Sequence, residues 1–526
     1  MIDLIDCSFM LFVYFFSIFG SCHKIASSEM IIEPTNTTSY NATKIEVKIS
    51  VQVIPEDAQI EAQFSDGSIL NWHIGEQNVE TGIWKLHVSR KGWESQDITL
   101  DITEEPTTVQ IELQSQIHEI HIATHPTDTK IQIFRENHIL YEFTGTTQTQ
   151  FPAGQIRIQG QYPKYPPKNK EILLDEQKHV FVCLDVLDYL LQCERKISVG
   201  KAPKSVLFSP DGSQIWTALL SGPPSVQAYD VQTGEQIASI DLGNHGAVEL
   251  EFSQDGKFIW ASQMNTSSVY EIDTESFEVT RQMKTKSAWS KIVERSFDGK
   301  HLYVSNWVGD DVSEIDLATG TVSRKFKTHD TPRGVWATRD GKYLYVSSFD
   351  DGTVQRFDLA TGIPTTIFEG AKAARHIVVD EESQRMYISD LRNKRIWVVN
   401  LHSNEKSILA YVESNPNTIV LSPDKKILFV SCRGQNNPEN YTKKGPDYGT
   451  IFVLNAWTGT ILDVIVGGNQ PTGLSIDPQG KLLAFSDFQD HQISIYKIPS
   501  TEILLQGRPS EEINKYKIYK NKTTYQ

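Results

Sequence analysis

The chain has 526 residues and a formal net charge of −16, from 66 acidic and 50 basic side chains. That length exceeds a single ordinary core and asks for two or three domains. The charge lacks the basic footprint that a phosphate backbone needs and excludes nucleic acid as a partner.

The first element is an apolar run, Ser8-Phe-Met-Leu-Phe-Val-Tyr-Phe-Phe-Ser-Ile-Phe19. It is too short to cross a bilayer as a helix and reads as the core of an export signal. Phe19-Gly-Ser-Cys22 follows. This resembles a relaxed bacterial lipobox, which implies diacylation of Cys22, cleavage before it and a lipid anchor. Residues 1–22 are therefore read as a signal peptide with a lipobox. An ordinary cleaved signal, with Cys22 incidental, is the alternative, since Asp3 and Asp6 stand where such leaders are basic. Glycosylation sequons at Asn36, Asn41, Asn265, Asn440 and Asn521 leave a non-bacterial secretory origin open. Residues 23–43 are polar without apolar period and read as a solvated tether.

Short alternating strands punctuated by turns such as Asp66-Gly67 and Lys91-Gly92 mark residues 44–114 as a small β module. A similar unit spans residues 115–194. Pro55-Glu-Asp-Ala-Gln-Ile60 lies over Pro126-Thr-Asp-Thr-Lys-Ile131, and Glu80-Thr-Gly-Ile-Trp-Lys-Leu over Phe151-Pro-Ala-Gly-Gln-Ile-Arg-Ile. Both units resemble the β modules named after a Pro-Glu-Gly-Ala (PEGA) motif, found in exported surface proteins. A single immunoglobulin-like sandwich across both halves is the alternative. Cys183 and Cys193 are the nearer pair for a disulfide, and buried thiols are the default for them and for Cys432.

From residue 195 a repeat takes over. Phe208-Ser-Pro-Asp-Gly212 recurs as Phe252-Ser-Gln-Asp-Gly256, Arg295-Ser-Phe-Asp-Gly299, Ala337-Thr-Arg-Asp-Gly341, Val379-Asp-Glu-Glu-Ser383, Leu421-Ser-Pro-Asp-Lys425 and Ile476-Asp-Pro-Gln-Gly480. The fourth positions are 44, 43, 42, 42, 42 and 55 residues apart. Each turn precedes a strand such as Leu302-Tyr-Val-Ser, Leu344-Tyr-Val-Ser or Leu428-Phe-Val-Ser, and two further strands complete the repeat. Seven units of this period, four strands each, predict an all-β chain with a seven-bladed β-propeller over residues 195–507. Residues 508–526 read as a flexible tail. Leu302-Tyr-Val-Ser-Asn306 makes the blades similar to the YVTN family of propellers, the lactonase-like group. With lipobox and β-rich spacer, the whole resembles the propeller surface-antigen lipoproteins of spirochaetes. Ring closure is expected to pair Lys196–Val199 with the strand ending near Tyr496, with Thr501–Gln506 the competitor.

Two columns of the repeat could carry function. At the start of the inner strand stand Lys204, Val248, Lys291, Arg333, Arg375, Asn417 and Thr472. The basic members, Lys204, Lys291, Arg333 and Arg375, would gather positive potential at one channel mouth, suited to a carboxylate, a phosphate or an acidic loop. Long side chains simply reaching water at the rim are the competing reading. The second column, Leu220, Met264, Trp307, Phe349, Leu391, Arg433 and Phe488, offers Trp307, Phe349 and Phe488 as a contact patch or as packing between blades. Beside it, Asn306, Asp390 and Asp487 are oxygen donors in matching positions that could hold calcium. An insertion, Arg433 to Gly449, breaks the last period and is either a specific contact or a plain surface loop.

No Gly-x-Ser-x-Gly elbow, phosphate loop or His-Glu-x-x-His motif is present. The preferred reading is a surface binding or adhesion protein, lipid-anchored in the cell envelope, whose propeller takes a protein, peptide or anionic polymer. It requires no cofactor and no catalytic residue. Resemblance to the lactonase-like group implies the alternative, a metal-dependent hydrolase with its site in the channel.

Overall fold

The computed structural model describes residues 45–125, 129–162, 166–175, 179–185 and 187–520. The expected leader, Cys22 and tether lie outside the described residues. The chain forms two compact units.

In the N-terminal module, Ile69–Trp72, Gln59–Phe64, Gly82–Ser89 and Gln96–Ile102 form one sheet in that order. Gly75–Glu80, Glu46–Ile54 and Thr107–Glu112 form another. Strict alternation makes these strands: Val47, Ile49, Val51 and Val53 are buried while Lys48 and Gln52 face water. Trp84 anchors the core, with the rings of Phe64 and Trp72 at 4.8 and 5.1 Å.

The next module repeats that strand order. His138–Thr144, Lys130–Arg135, Gly154–Gln161 and Lys168–Leu174 form its first sheet; Thr147–Pro152, Ile117–His125 and His179–Asp185 form its second. Each half builds its own pair of sheets, so one sandwich shared between both halves is not what forms. Cys183 and Cys193 are joined as a disulfide, Cα atoms 5.6 Å apart, which corrects their default as free thiols; Cys432 is free and buried.

Seven four-stranded antiparallel sheets follow. Six use consecutive strands. The last takes Pro471–Ile476, Leu482–Asp487 and Gln492–Lys497 from the C-terminal side, and its outer strand, Gln192–Ser198, from ahead of the first sheet. Ile197 stands opposite Ile493 and Cys193 opposite Tyr496. This is the strand pairing expected for Lys196–Val199; the competitor, Thr501–Gln506, is helical. The innermost strand of the first sheet, Pro203–Phe208, packs against that of the last, Pro471–Ile476.

The recurrent turn has a chemical cause. Ser209 Oγ donates to Asp211 Oδ1 at 2.5 Å and accepts from the Gln214 amide at 2.9 Å, while the Ser213 amide donates to Asp211 Oδ1 at 3.1 Å. The same clasp recurs at Ser253–Asp255, Ser296–Asp298, Thr338–Asp340 and Ser422–Asp424. Gly212 completes the turn at φ 79°, a region where a Cβ is strained.

Residues 508–520 depart from the expected flexible tail. They form short helices at Ser510–Asn514 and Tyr516–Lys520 and bury Ile513, Tyr516 and Tyr519 in one apolar cluster with Phe452 and Val464. The recurrence of these three at every third residue makes one apolar face, masked in the sequence by intervening charges. The Tyr516 hydroxyl donates to Glu413 at 2.9 Å, and Lys520 pairs with the same carboxylate at 2.5 Å. Among the described residues no helix is long and apolar enough to cross a membrane.

Candidate functional site

The first residues of the inner strands are held by one local device. In six of the seven sheets the ladder between inner and second strand slips at the column position: between Pro203 and Ser205, Ser290 and Val293, Pro332 and Val335, Ala374 and His376, Pro416 and Ile419, and Pro471 and Leu474. Such bulges re-aim a side chain away from the regular pleat. Lys204, Lys291, Arg333, Arg375, Asn417 and Thr472 all occupy them. The serine of the recurrent second strand locks each bulge to the next sheet. Ser305 Oγ accepts from the Ile292 amide at 3.1 Å and donates to the Arg333 carbonyl at 3.3 Å. Ser389 does the same for His376 and Asn417, and Ser431 for Thr418 and Thr472. Gly334 follows Arg333 because a Cβ there would lie 3.0 Å from the Ile377 amide nitrogen of the next inner strand.

The column brings its cations together, and Arg433 joins them. Burial, then repulsion from Arg433, Arg375, Arg333 and Lys291, pushes the Lys204 ammonium well below its ordinary range. Burial with Arg333 and Arg375 pushes Lys291 down to about 6. Arg375 is lowered well below its ordinary value by burial and by Arg333 and Arg433; Arg433 falls to about 10, chiefly through burial. Arg333, Arg375 and Arg433 are only 4, 8 and 7 % exposed. The carboxylate acting on Arg333 and Arg375 is Glu249, hydrogen-bonded by Ser205 Oγ and raised by its own burial. His376, next along the strand from Arg375, is held down to about 3 by burial and the two arginines.

The aromatic column lies beneath these charges. Lys291 Nζ is 4.0 Å from the Trp307 ring centroid, and Lys204 Nζ 4.9 Å from that of Phe488. Arg333 stands 5.9 Å over Trp307, and Arg433 5.8 Å over Phe488. Trp307 and Phe349 meet tilted, ring centroids 5.1 Å apart, and stay partly exposed, whereas Phe488 is fully buried and presents no surface of its own.

The insertion supplies what column alignment missed. Arg433 opens it, and Tyr441 within it stands 5.6 Å from the Arg433 guanidinium. Buried Asn469 and Gln470 pin the loop: Gln470 Nε2 donates to the Tyr441 carbonyl at 2.8 Å, and Asn469 Oδ1 accepts from the Gly445 amide at 2.9 Å. Gln470 Oε1 also accepts from Arg433 Nη2. The signal in the sequence was a lone arginine in an otherwise apolar column, at the one place where the period breaks.

The oxygen donors considered for calcium do structural work within their own sheets. Asn306 Nδ2 donates to Asp311 Oδ1 at 2.7 Å and Ser313 Oγ at 2.9 Å. Asp390 accepts from the Lys372 and Ala373 amides at 3.0 and 3.1 Å and from Asn393, Arg395 and Trp397. Asp487 accepts from the Gly468 amide at 2.7 Å and Ser494 Oγ at 3.0 Å. Among the described residues no three His, Cys, Asp or Glu side chains are grouped to hold a metal, so these residues do not fit a channel calcium.

The YNCE-like beta-propeller family matches residues 186–437. Among curated proteins the chain is similar to Antigen Lp49 of Leptospira interrogans serogroup Icterohaemorrhagiae serovar copenhageni (strain Fiocruz L1-130). The two are 45 % identical over 109 residues, 20 % of this chain and 22 % of the antigen, so the chain spans about a fifth of the curated relative it matches. Among solved structures, Kuenenia stuttgartiensis Hydrazine Synthase aligns with a TM-score of 0.49 at 17 % identity, over 56 % of this chain and 95 % of that one. The family match and the succession of four-stranded sheets make this an all-β chain that carries a β-propeller.

Proposed function

We propose that this β-propeller chain is an exported, surface-associated binding protein whose propeller closes as seven blades and receives an acidic segment of a protein or peptide at its basic mouth. The two N-terminal modules, similar to the PEGA type, act as a spacer. An acylated Cys22 holds the whole to a membrane of the cell envelope. The observation that carries the binding reading is the convergence of Lys204, Lys291, Arg333, Arg375 and Arg433 on one another, with Glu249 the carboxylate that acts on Arg333 and Arg375. Cations collected for fold stability alone would sit beside carboxylates, because like charges in a desolvated place oppose folding. The similarity to Antigen Lp49 supports the surface placement, and the packing of the first inner strand on the last supports the closed ring.

The test is capture on the immobilised full chain from cell-envelope and host extracts. An acidic partner should be retained at low salt and released as salt rises. Arg333→Ala with Arg375→Ala should abolish retention, and Lys425→Ala with Lys426→Ala should keep it. Equal retention by the two double variants rejects the mouth as the site. For the anchor, Cys22→Ala should move the protein from the membrane to the soluble fraction; unchanged acyl labelling and partitioning reject it.

A further inference from the structure

We infer that the cluster is a receptor for a compact oxyanion of two or more negative charges, gripped by Arg333, Arg433 and Asn417 and flanked by Lys204, Lys291 and Arg375. The inference rests on the binding reading above and narrows it to a chemical class, a multivalent carboxylate or a phosphate group.

Three buried donors point to it. Arg333 Nη1, Arg433 Nε and Asn417 Nδ2 have no hydrogen-bond partner, although their residues are 4, 7 and 0 % exposed. Buried donors are almost always satisfied, so three unsatisfied ones in one cluster mark a place built for an acceptor. Their availability follows from what the neighbours take. Arginine has no acceptor, so Asn417 must turn its Oδ1 toward Arg375 Nε, and this leaves its amide nitrogen as a donor to the cluster. Gln470 in the same way presents Oε1 to Arg433 Nη2 and binds the insertion with its nitrogen, so that Arg433 Nε stays free. Asn417 Oδ1 and Gln470 Oε1 are thus both engaged by arginine, and what Arg333, Arg433 and Asn417 leave over are donors.

Charge sets the valence. Glu249 is the carboxylate that acts on Arg333 and Arg375, and burial, then mutual repulsion, is what suppresses ionisation of Lys204 and Lys291. A single negative charge leaves most of that repulsion in place; two or three remove it. Guanidinium groups match the planar or tetrahedral oxygens of carboxylates and phosphates. The rings of Trp307, Phe488 and Tyr441 flank the cations.

The experiment is calorimetric titration of the full chain at low salt with citrate and, separately, with pyrophosphate, using acetate as the monovalent control and matched ionic strength. At least one multivalent anion should bind and raise the melting temperature, while acetate does neither. The arm that binds tells carboxylate from phosphate. Arg333→Gln and Arg433→Gln should each weaken binding about tenfold or more. Glu249→Gln, which deletes the opposing charge, should strengthen it, and this gain of affinity keeps the test decisive if an arginine variant misfolds. Absence of binding by both multivalent anions, or an affinity unmoved by Arg433→Gln and Glu249→Gln, overturns the inference. Capture of a macromolecule is read in a separate assay, so anion binding without capture rejects the protein-binding reading alone, and capture without anion binding rejects this one alone.

Discussion

Arginine appears in this propeller in two settings that lie a few residues apart in the repeat. On the third and fourth strands of neighbouring blades, Arg281 meets Glu271 and Arg324 meets Glu314. Arg281 Nε and Nη2 donate to the two Glu271 oxygens at 2.8 and 2.7 Å, and Trp260 Nε1 adds a bond at 2.9 Å. Arg324 Nε and Nη2 reach Glu314 Oε2 at 2.9 and 2.8 Å. Burial pushes the Glu271 carboxyl up, but the bonds from Arg281, Trp260 and Thr280 outweigh it and hold it below the ordinary range. At the inner-strand mouth, Arg333, Arg375 and Arg433 meet one another instead. A guanidinium paired on its own blade brings its counter-charge with it, whereas Arg333 and Arg375 share the influence of Glu249 with other cations close by.

The contrast predicts effects of opposite sign. Arg281→Met strands the buried Glu271 carboxylate and should cost about 3 kcal/mol in denaturant unfolding. Adding Glu271→Gln should recover most of that loss, and an unchanged double variant would show that packing rather than charge was removed. Arg375→Met, an equal truncation at the mouth, should leave stability unchanged or raise it by about 1 kcal/mol, because one member of a like-charged group is gone. A loss as large as that of Arg281→Met would erase the distinction between the two regions.

The pH dependence sharpens the same point. Lys291 titrates near 6 in the folded chain against an ordinary 10.5. Between those values the unfolded chain binds a proton that the folded one does not, so stability rises with pH across the window. Lys204 shifts the same way, while Arg333, Arg375 and Glu249 face the same cluster, so the difference from Lys291→Met isolates the lysine. After solvent screening, wild type should gain about 1 kcal/mol on that variant between pH 6.5 and 9. A flat difference would mean that Lys291 reaches solvent. Lys425→Ala with Lys426→Ala, on an exposed repeat turn, should change stability by less than about 0.5 kcal/mol in the same melts.

Much of this architecture is legible because repeat chemistry leaves residues at fixed spacing. Ser209 with Asp211 within a turn, and Ser305 with the Arg333 carbonyl of the next sheet, are bonds that recur from repeat to repeat, so the turns, the second strands and the basic column can be read by superposing one repeat on the next. The strand order shared by the two N-terminal modules is legible more weakly, through Pro55 and Pro126. What escapes is set by contacts that the period does not encode. Arg433 joins the cations with Gln470 bridging it to the insertion, a contact from outside its own repeat. Phe488 is buried, with Lys204 and Arg433 over its ring, which the column pattern does not foretell. The disulfide of Cys183 and Cys193 depends on how the second module meets the last sheet, and the terminal helices hide Ile513, Tyr516 and Tyr519 among charges.

The pairing of Gln192–Ser198 with Gln492–Lys497 gives synthesis a direction. The strand that completes the last sheet is made early and waits while about 300 residues are added, so the last sheet cannot form until the C-terminal strands emerge. A chain crossing a membrane from its N-terminus would carry an unpaired strand edge throughout export, and would bury it only when the final repeat is through. Truncated or stalled chains therefore keep an open edge, a mark by which an unfinished molecule differs from a finished one.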